Sequence, residues 1–415
     1  MIQKFTLEIK EFGLINRANI EINKINVVGG INSSGKSTVS KLLYCYIKAI
    51  SINKRKYIMD KFYSYIYSLI EEIDVTERNY EELLNNYNLF REDYYKNTDE
   101  WNRGSEEEYI YEIDKIIEVF NKNDESEIFS NVMETLLLKE SLSLGGSHKF
   151  SGDSFEIARG DNGKYIYRNI VPDDIDGYDR FQYSEYVAGL ISEKDFNEIY
   201  YFDTVSIFEL ESSLLGSIEH ISNLNDNLKS TNEVGKELSA KIRSIEDKIR
   251  RIIRGNFETR GYNSRDTIAY VPSSGFDISL NNTSSGIKQI GAIQLLLHNN
   301  KLVPGTFLII DEPEVNLHPE WQFKFAEILV VLAKELDITI YLNSHSPMFI
   351  ESIDAFTEFY DMQDYVNYYL TVPSHRYVPY NFKKIEQNEL YRIYDNLGKP
   401  YDLIDQLRLR KRLGD

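Results

Sequence analysis

The chain has 415 residues, long enough for two or three domains that each bury a core, and its 42% hydrophobic and 27% charged content is ordinary for a globular protein. A net charge of −19 excludes a surface that is one continuous nucleic-acid groove, although a local basic patch stays possible because phosphate binding depends on where the cations sit. The single cysteine, Cys45, excludes an intramolecular disulfide, no apolar run is long enough to cross a bilayer, and the first residues lack a signal-peptide core; a cytoplasmic protein with no membrane partner is expected.

Taken in chain order, Phe5, Leu7 and Ile9 share one face of a strand, Gly13 marks a turn, and Ala18, Ile20 and Ile22 repeat the alternation. Ile25 to Val28 form a buried strand that runs into Gly30-Ile31-Asn32-Ser33-Ser34-Gly35-Lys36-Ser37-Thr38. Val39, Leu42, Leu43 and Tyr46 follow at helical spacing. Strand, glycine-rich turn and helix start are what a phosphate loop requires, because backbone N–H groups and the helix N-terminus converge on an anion. Gly30, Asn32, Ser33, Ser34, Gly35 and Thr38 are candidate cradle residues, Lys36 reaches the β- and γ-phosphates, and the Ser37 hydroxyl is a Mg²⁺ ligand. The chain is therefore expected to bind a nucleoside triphosphate.

Residues 55–140 are rich in Tyr, Glu and Asn, and Phe62, Ile66, Leu69, Ile70 and Ile73 repeat at helical spacing, which predicts polar helices in an insertion. A short hairpin is predicted from 155–157 to 165–167, around Asp161-Asn162-Gly163. The acids at 173, 174 and 176 lack calcium-loop spacing and read as a solvated turn. Glu198 to Phe202 reads as a strand returning to the core. Leu214, Ile218, Ile221, Leu224 and Leu228, then Leu238, Ile242, Ile245, Ile249 and Ile252, form a heptad-like seam that predicts an antiparallel helical hairpin. Its second arm carries Lys241, Arg243, Lys248, Arg250, Arg251 and Arg254, either a solvated face or a DNA- or partner-binding patch.

The last third alternates strand and helix, the pattern of a parallel α/β sheet. Thr283-Ser284-Ser285-Gly286 opens a helix and leaves free N–H groups for an anion. The strand Thr306 to Ile310 ends in Asp311-Glu312-Pro313, where an aspartate beside the phosphate loop holds Mg²⁺ and the glutamate accepts a proton from water. Pro319 starts a helix with the stripe Phe323, Ala326, Leu329, Leu332 and Leu336. Ile338 to Leu342 is a second buried strand, and it leads to Asn343-Ser344-His345-Ser346-Pro347, where His345 is placed to hydrogen-bond a γ-phosphate.

The order phosphate loop, serine-glycine signature, Asp-Glu-Pro-Glu-Val-Asn-Leu-His-Pro at 311–319 and Asn-Ser-His-Ser-Pro at 343–347 resembles the ABC-type ATPases of the SMC, Rad50, RecF and OLD group. The resemblance is nearest to short bacterial ATPases of anti-phage defence operons, such as the ATPase subunits of PARIS or Septu systems. It implies an α/β P-loop NTPase head, a mixed sheet flanked by helices, with a large, mainly helical insertion and a helical hairpin. The expected layout is ATPase core at 1–50, helical insertion at 51–197, a return to the core at 198–208, hairpin at 209–256, core again at 257–355 and a tail at 356–415. ATP and Mg²⁺ are the implied cofactors, with Ser37 and Asp311 at the metal, Glu312 activating water and His345 sensing the γ-phosphate. Ser284, Ser285 and Gly286 would meet the nucleotide of a partner copy, which implies a head-to-tail homodimer or a higher even-numbered homo-oligomer, with Asn316-Leu317-His318 at the seam.

Two departures are visible: Thr283 and Ser285 alter the usual signature, and no lobe-coupling glutamine is evident, Asp203-Thr204 standing near its place. OLD-type enzymes carry a nuclease after the ATPase, and the sequence beyond His345 has no Asp-x-Asp pair, so an effector is expected to be a separate protein. The expected function is a sensor or scaffold ATPase of a defence system. The alternatives are a DNA-repair or DNA-end-binding ATPase and an ATP-bound scaffold with negligible turnover.

Overall fold

The computed structural model describes residues 6–12, 14–69, 80–97, 106–122, 125–140, 154–159, 165–170, 184–188, 196, 198–203, 218–262, 265–273, 278–279, 285–374 and 379–413. The chain forms two compact units, Met1–Ser51 with Leu136–Asp415, and Ile52–Thr135.

The first unit is built on an 11-stranded sheet of order β4-β5-β6-β1-β2-β14-β13-β3-β12-β11-β7. Its parallel part sets β3 (Ile25–Gly29) between β12 (Thr339–Ser344) and β13 (Val366–Pro373), with β11 (Thr306–Asp311) beyond β12 and β7 (Glu198–Phe202) beyond β11. Every residue of β3, β11 and β12 is buried, as expected of continuous apolar runs that helices cover on both faces. The remaining strands form a mostly antiparallel flank: β1 (Thr6–Phe12) pairs β2 (Ile15–Glu21) and β6 (Ser184–Ala188), and β4 (Ser154–Arg159) pairs β5 (Tyr165–Ile170). The hairpin expected near 155–167 is present as β4 and β5; the acidic turn at 173–176 lies outside the described residues.

Helix α1 (Lys36–Ser51) leaves the phosphate loop and buries Val39, Leu42, Leu43, Tyr46 and Cys45. Burial pushes the Cys45 thiol up, away from reactivity. In the second unit α2 (Lys54–Leu69) packs on α4 (Glu106–Lys122), and α3 (Tyr80–Asn97) and most of α5 (Glu125–Lys139) complete it. Its core includes Phe62, Leu83, Tyr87, Ile113 and Phe129. Among the described residues, helix in the segment 51–197 lies in its first part, and the later part supplies β4, β5 and β6.

Two further findings depart from the sequence reading. Helices α6 (Glu219–Lys229) and α7 (Lys236–Ile253), expected to pair with each other as an antiparallel hairpin, each pack mainly on other elements. Helix α6 lies mainly on β7 and α8 (Ser285–His298), and α7 on α8 and α9 (Pro319–Glu335). The seam residues Leu224, Leu228, Ile242, Ile245 and Ile249 belong to the main core, since a core-facing stripe and a coiled-coil seam share nearly the same period. The region read as a tail also contributes to the sheet. Strand β13 pairs β14 (Tyr380–Ile385) antiparallel and fills one edge of β3, and α11 (Tyr391–Leu413) follows. A small three-stranded sheet of β8 (Gly255–Tyr262), β9 (Arg265–Pro272) and β10 (Ile278–Ser279) completes the unit. In α9, Ala326, Leu329 and Leu332 are buried as expected, but Phe323 is exposed and sits beside Phe356 of α10 (Pro347–Phe359), ring centres 4.7 Å apart.

Candidate functional site

The loop between β3 and α1 is held from below. A Cβ at Gly30 would lie 1.8 Å from Thr371 Oγ1 of β13, so only glycine lets the loop rest on that strand. Gly35 has φ +88°, and a Cβ there would meet Ile15 at 2.8 Å. Ser34 Oγ donates to Ile31 O at 2.8 Å and accepts from Thr371 Oγ1 at 3.0 Å, which closes the turn. Lys36 begins α1, and its amine lies 2.9 Å from Gly30 O and 2.7 Å from Ile31 O. Burial pulls its ammonium below the ordinary value, while Glu312, Asp311 and Glu314 oppose that shift. No acid stands in the first turn of α1, so its N-terminal dipole is left for an anion.

The two acids at the end of β11, Asp311 and Glu312, have opposite surroundings. Asp311 is 1% exposed; Ser40 Oγ (2.6 Å) and Asn343 Nδ2 (2.6 Å) donate to one oxygen and Tyr201 OH (2.9 Å) to the other. Ser37 also hydrogen-bonds to it, and these donors oppose the rise that burial imposes on the carboxyl. Glu312 is more accessible, with a side chain 29% exposed. Its backbone N–H donates to Asn343 O at 2.8 Å, and its φ of 51° turns the chain out of the strand into the left-handed region, uncommon for a residue other than glycine.

A cavity of about 180 Å³ lies at these strand ends, lined by Leu14, Asn32, Ser33, Ser34, Gly35, Lys36, Ser37, Thr38, Glu312 and Asn343. The loop residues expected to bind phosphate and the expected base thus face one space. His345 stands beside it, its Nδ1 3.6 Å from Glu312 Oε1 and 3.3 Å from Glu314 Oε1, within ion-pair distance without hydrogen-bond alignment. Ser285 and Gly286 begin α8, while Ser284 and Thr283 lie outside the described residues. Asn316 has φ 60° and His318 caps α9, its ring accepting Glu320 N at 3.3 Å.

Residues 1–350 match the family AAA_15, AAA ATPase domain. The chain belongs to that family. Curated proteins give no match. Among solved structures, the SMC head domain from Thermotoga maritima is 13% identical, covers 93% of this chain and 100% of its own, and has a TM-score of 0.37. An SmcHead bound to the C-winged helix domain of ScpA is 12% identical, over 93% of this chain and 98% of its own, at 0.41. An Smc head with an extended coiled coil, bound to the C-terminal domain of ScpA derived from Pyrococcus furiosus, is 12% identical over 98% and 100%, at 0.39.

For an AAA ATPase domain the donor set suits Mg²⁺. Ser37 and Asp311, both hard oxygen donors, are within hydrogen-bond reach of each other. Among the described residues no group of three or more His, Cys, Asp or Glu is placed to hold a metal ion.

Several residues of the site escaped the sequence reading. Tyr201 and Ser40 donate to Asp311, and Thr371 supports the loop. Asn343 donates to both Ser40 and Asp311, leaving its Oδ1 without a partner. Glu314 is buried and accepts Ser344 Oγ, His345 N and Ser346 N. Asp203, expected near a coupling loop, lies 3.9 Å from His220 Nε2, and His220 Nδ1 in turn is 2.6 Å from the buried Glu140. For Tyr201 the readable sign was the strand expected over Glu198 to Phe202, which is β7.

Proposed function

We propose that this chain binds ATP with Mg²⁺ and hydrolyses it to ADP and phosphate. One observation carries the reading: the loop around Lys36 and Ser37 and the accessible Glu312 line one cavity at the ends of β3, β11 and β12, and the buried Asp311 is hydrogen-bonded to Asn343 of its wall. In this reading Lys36 and the loop N–H groups hold the β- and γ-phosphates, and Ser37 and Asp311 are the metal ligands. The cation, when bound, supplies neutralisation of charge on the phosphate oxygens. Glu312 accepts the proton of the attacking water, which suits a carboxylate left partly in solvent, and His345 hydrogen-bonds the γ-phosphate.

Ser284, Ser285 and Gly286 are proposed to meet the nucleotide of a second copy, forming a homodimer or a higher even-numbered assembly. The motif order supports an ABC-type ATPase of the SMC, Rad50, RecF and OLD kind, acting as sensor or scaffold of an anti-phage system that controls a separate effector. A second reading, a DNA-binding repair ATPase, is favoured by one observation. Lys241, Arg243, Arg250, Arg251 and Arg254 are all exposed along α7 and its end, in a chain of net charge −19.

The deciding experiment is phosphate release from Glu312→Gln. Turnover is expected to fall by ~10²–10⁴ with ATP still bound, and the trapped complex is expected to sediment as a dimer. Wild-type turnover in this variant overturns the assignment of Glu312, and a monomer at every ATP concentration overturns the shared site. Salt-sensitive DNA binding lost on reversing Arg250 and Arg251 supports the second reading; no binding at low salt removes it.

A further inference from the structure

Glu314 follows the acid pair at a turn where Val315 N donates to Glu312 O at 3.0 Å and Leu317 N donates to Glu314 O at 3.1 Å. The turn sends its side chain inward, where it is only 4% exposed. One oxygen, Oε1, accepts three donors from the end of β12: Ser344 Oγ at 2.9 Å, His345 N at 2.8 Å and Ser346 N at 3.0 Å. Two successive backbone N–H groups aimed at one carboxylate oxygen form a small anion cradle within the protein itself. The same oxygen is 3.3 Å from His345 Nδ1, and that nitrogen is also 3.6 Å from Glu312 Oε1. Glu314 Oε2 is buried and has no hydrogen-bond partner.

A purely structural clamp has no use for this arrangement. A neutral amide would accept the same three donors without the desolvation penalty of a buried carboxylate. What the negative charge adds is a fixed partner for the same imidazole nitrogen that faces Glu312. The turn also leads directly into α10: Ser346 Oγ accepts Phe349 N at 3.2 Å as its cap and lies 3.1 Å from Gln322 Oε1 of α9. The 344–346 turn is thus tied at both ends, and its only carboxylate anchor among the described hydrogen bonds is Glu314.

We infer that Glu314 is a positioning residue for the hydrolysis proposed above: its carboxylate fixes the 344–346 turn and sets the His345 ring beside Glu312. The inference rests on the ATPase reading, and the two can fail separately. The test is steady-state ATP turnover of Glu314→Ala, His345→Ala and the double variant, with thermal melts of each. Glu314→Ala is expected to lose at least tenfold in kcat with KM for ATP within twofold of wild type. The double variant is expected to be no slower than the worse single one, because residues acting as a unit are not additive. Glu314→Gln, which keeps the acceptor, is expected to recover part of the lost kcat. If Glu314→Ala does not fold, Glu314→Asp carries the test, since it keeps the charge but withdraws the oxygen from its three donors; loss of kcat at unchanged KM is again expected. Wild-type kcat in the folded variant, losses that multiply in the double variant, or a KM that rises with no change in kcat overturns the inference alone. Absence of turnover in the wild-type protein overturns it together with the ATPase reading.

Discussion

The strand ends of the sheet unit and the helical unit at 52–135 bury their polar groups in different ways. Around Asp311 the hydroxyls of Ser40 and Tyr201 and the amide of Asn343 are all within 2.9 Å of a carboxylate that solvent does not reach. In the helical unit Tyr87 OH donates to Ile110 O and to Asp114, but Asp114 is one-third exposed and also pairs with Arg91 at 2.8 Å. The first region is specified by individual atoms with no substitute, the second by filled volume with water and alternative partners at its edge. The lesson is that reach to solvent, more than the number of hydrogen bonds, decides how sensitive a region is to a single atom.

The largest test of this contrast is a volume change in the helical unit. Ile113→Ala there removes a fully buried side chain and is expected to destabilise that unit by about 2–5 kcal/mol. ATP turnover at temperatures where the unit stays folded is expected to remain at the wild-type rate; a parallel fall in nucleotide affinity and unit stability would show the two regions to be energetically one. The next test compares two hydroxyl deletions. Tyr201→Phe leaves a buried Asp311 oxygen without its donor, and about 1–3 kcal/mol of stability is expected to go. Tyr87→Phe should lie at or below about 1 kcal/mol, because water reaches Asp114. Equal losses in denaturant melts would break the comparison.

The smallest effect is one of pH. Burial raises the Glu314 carboxyl above its ordinary value, so between the unfolded and folded values the native state holds more protons than the unfolded one. Its contribution therefore falls as pH rises through that window, which starts at the ordinary carboxylate value, by at most about 1.4 kcal/mol per pH unit. Relative to Glu314→Gln, the wild-type melting temperature is expected to drop across that window; a constant difference between the two would contradict the burial argument.

Much of the site was legible because it sits on continuous apolar runs. Ile25 to Gly29, Thr306 to Asp311 and Thr339 to Ser344 are strands whose ends carry the loop, the acid pair and His345. What stayed hidden depends on pairing across the chain. Glu314 reads as one more acid in a turn until β12 brings 344–346 against it, and Tyr201 reads as one aromatic among many until β7 lies beside β11. The helices at 219–253 were misread because a stripe facing a core and a seam facing a partner helix have almost the same spacing. The strands at 366–385 were missed because Tyr and Asn interrupt the apolar pattern, although Tyr368 and Tyr369 are in fact buried.

The contact of Gly30 with Thr371 has a consequence for biosynthesis. Both edges of β3 are filled by strands from the last third of the sequence, and the surface on which the phosphate loop rests lies on β13. A nascent chain whose loop has long left the ribosome still lacks the floor and walls of that loop until Thr371 has emerged. The loop is thus completed only after β13 has been made, long after its own residues, and a chain that stops short of β13 lacks the surface that shapes it.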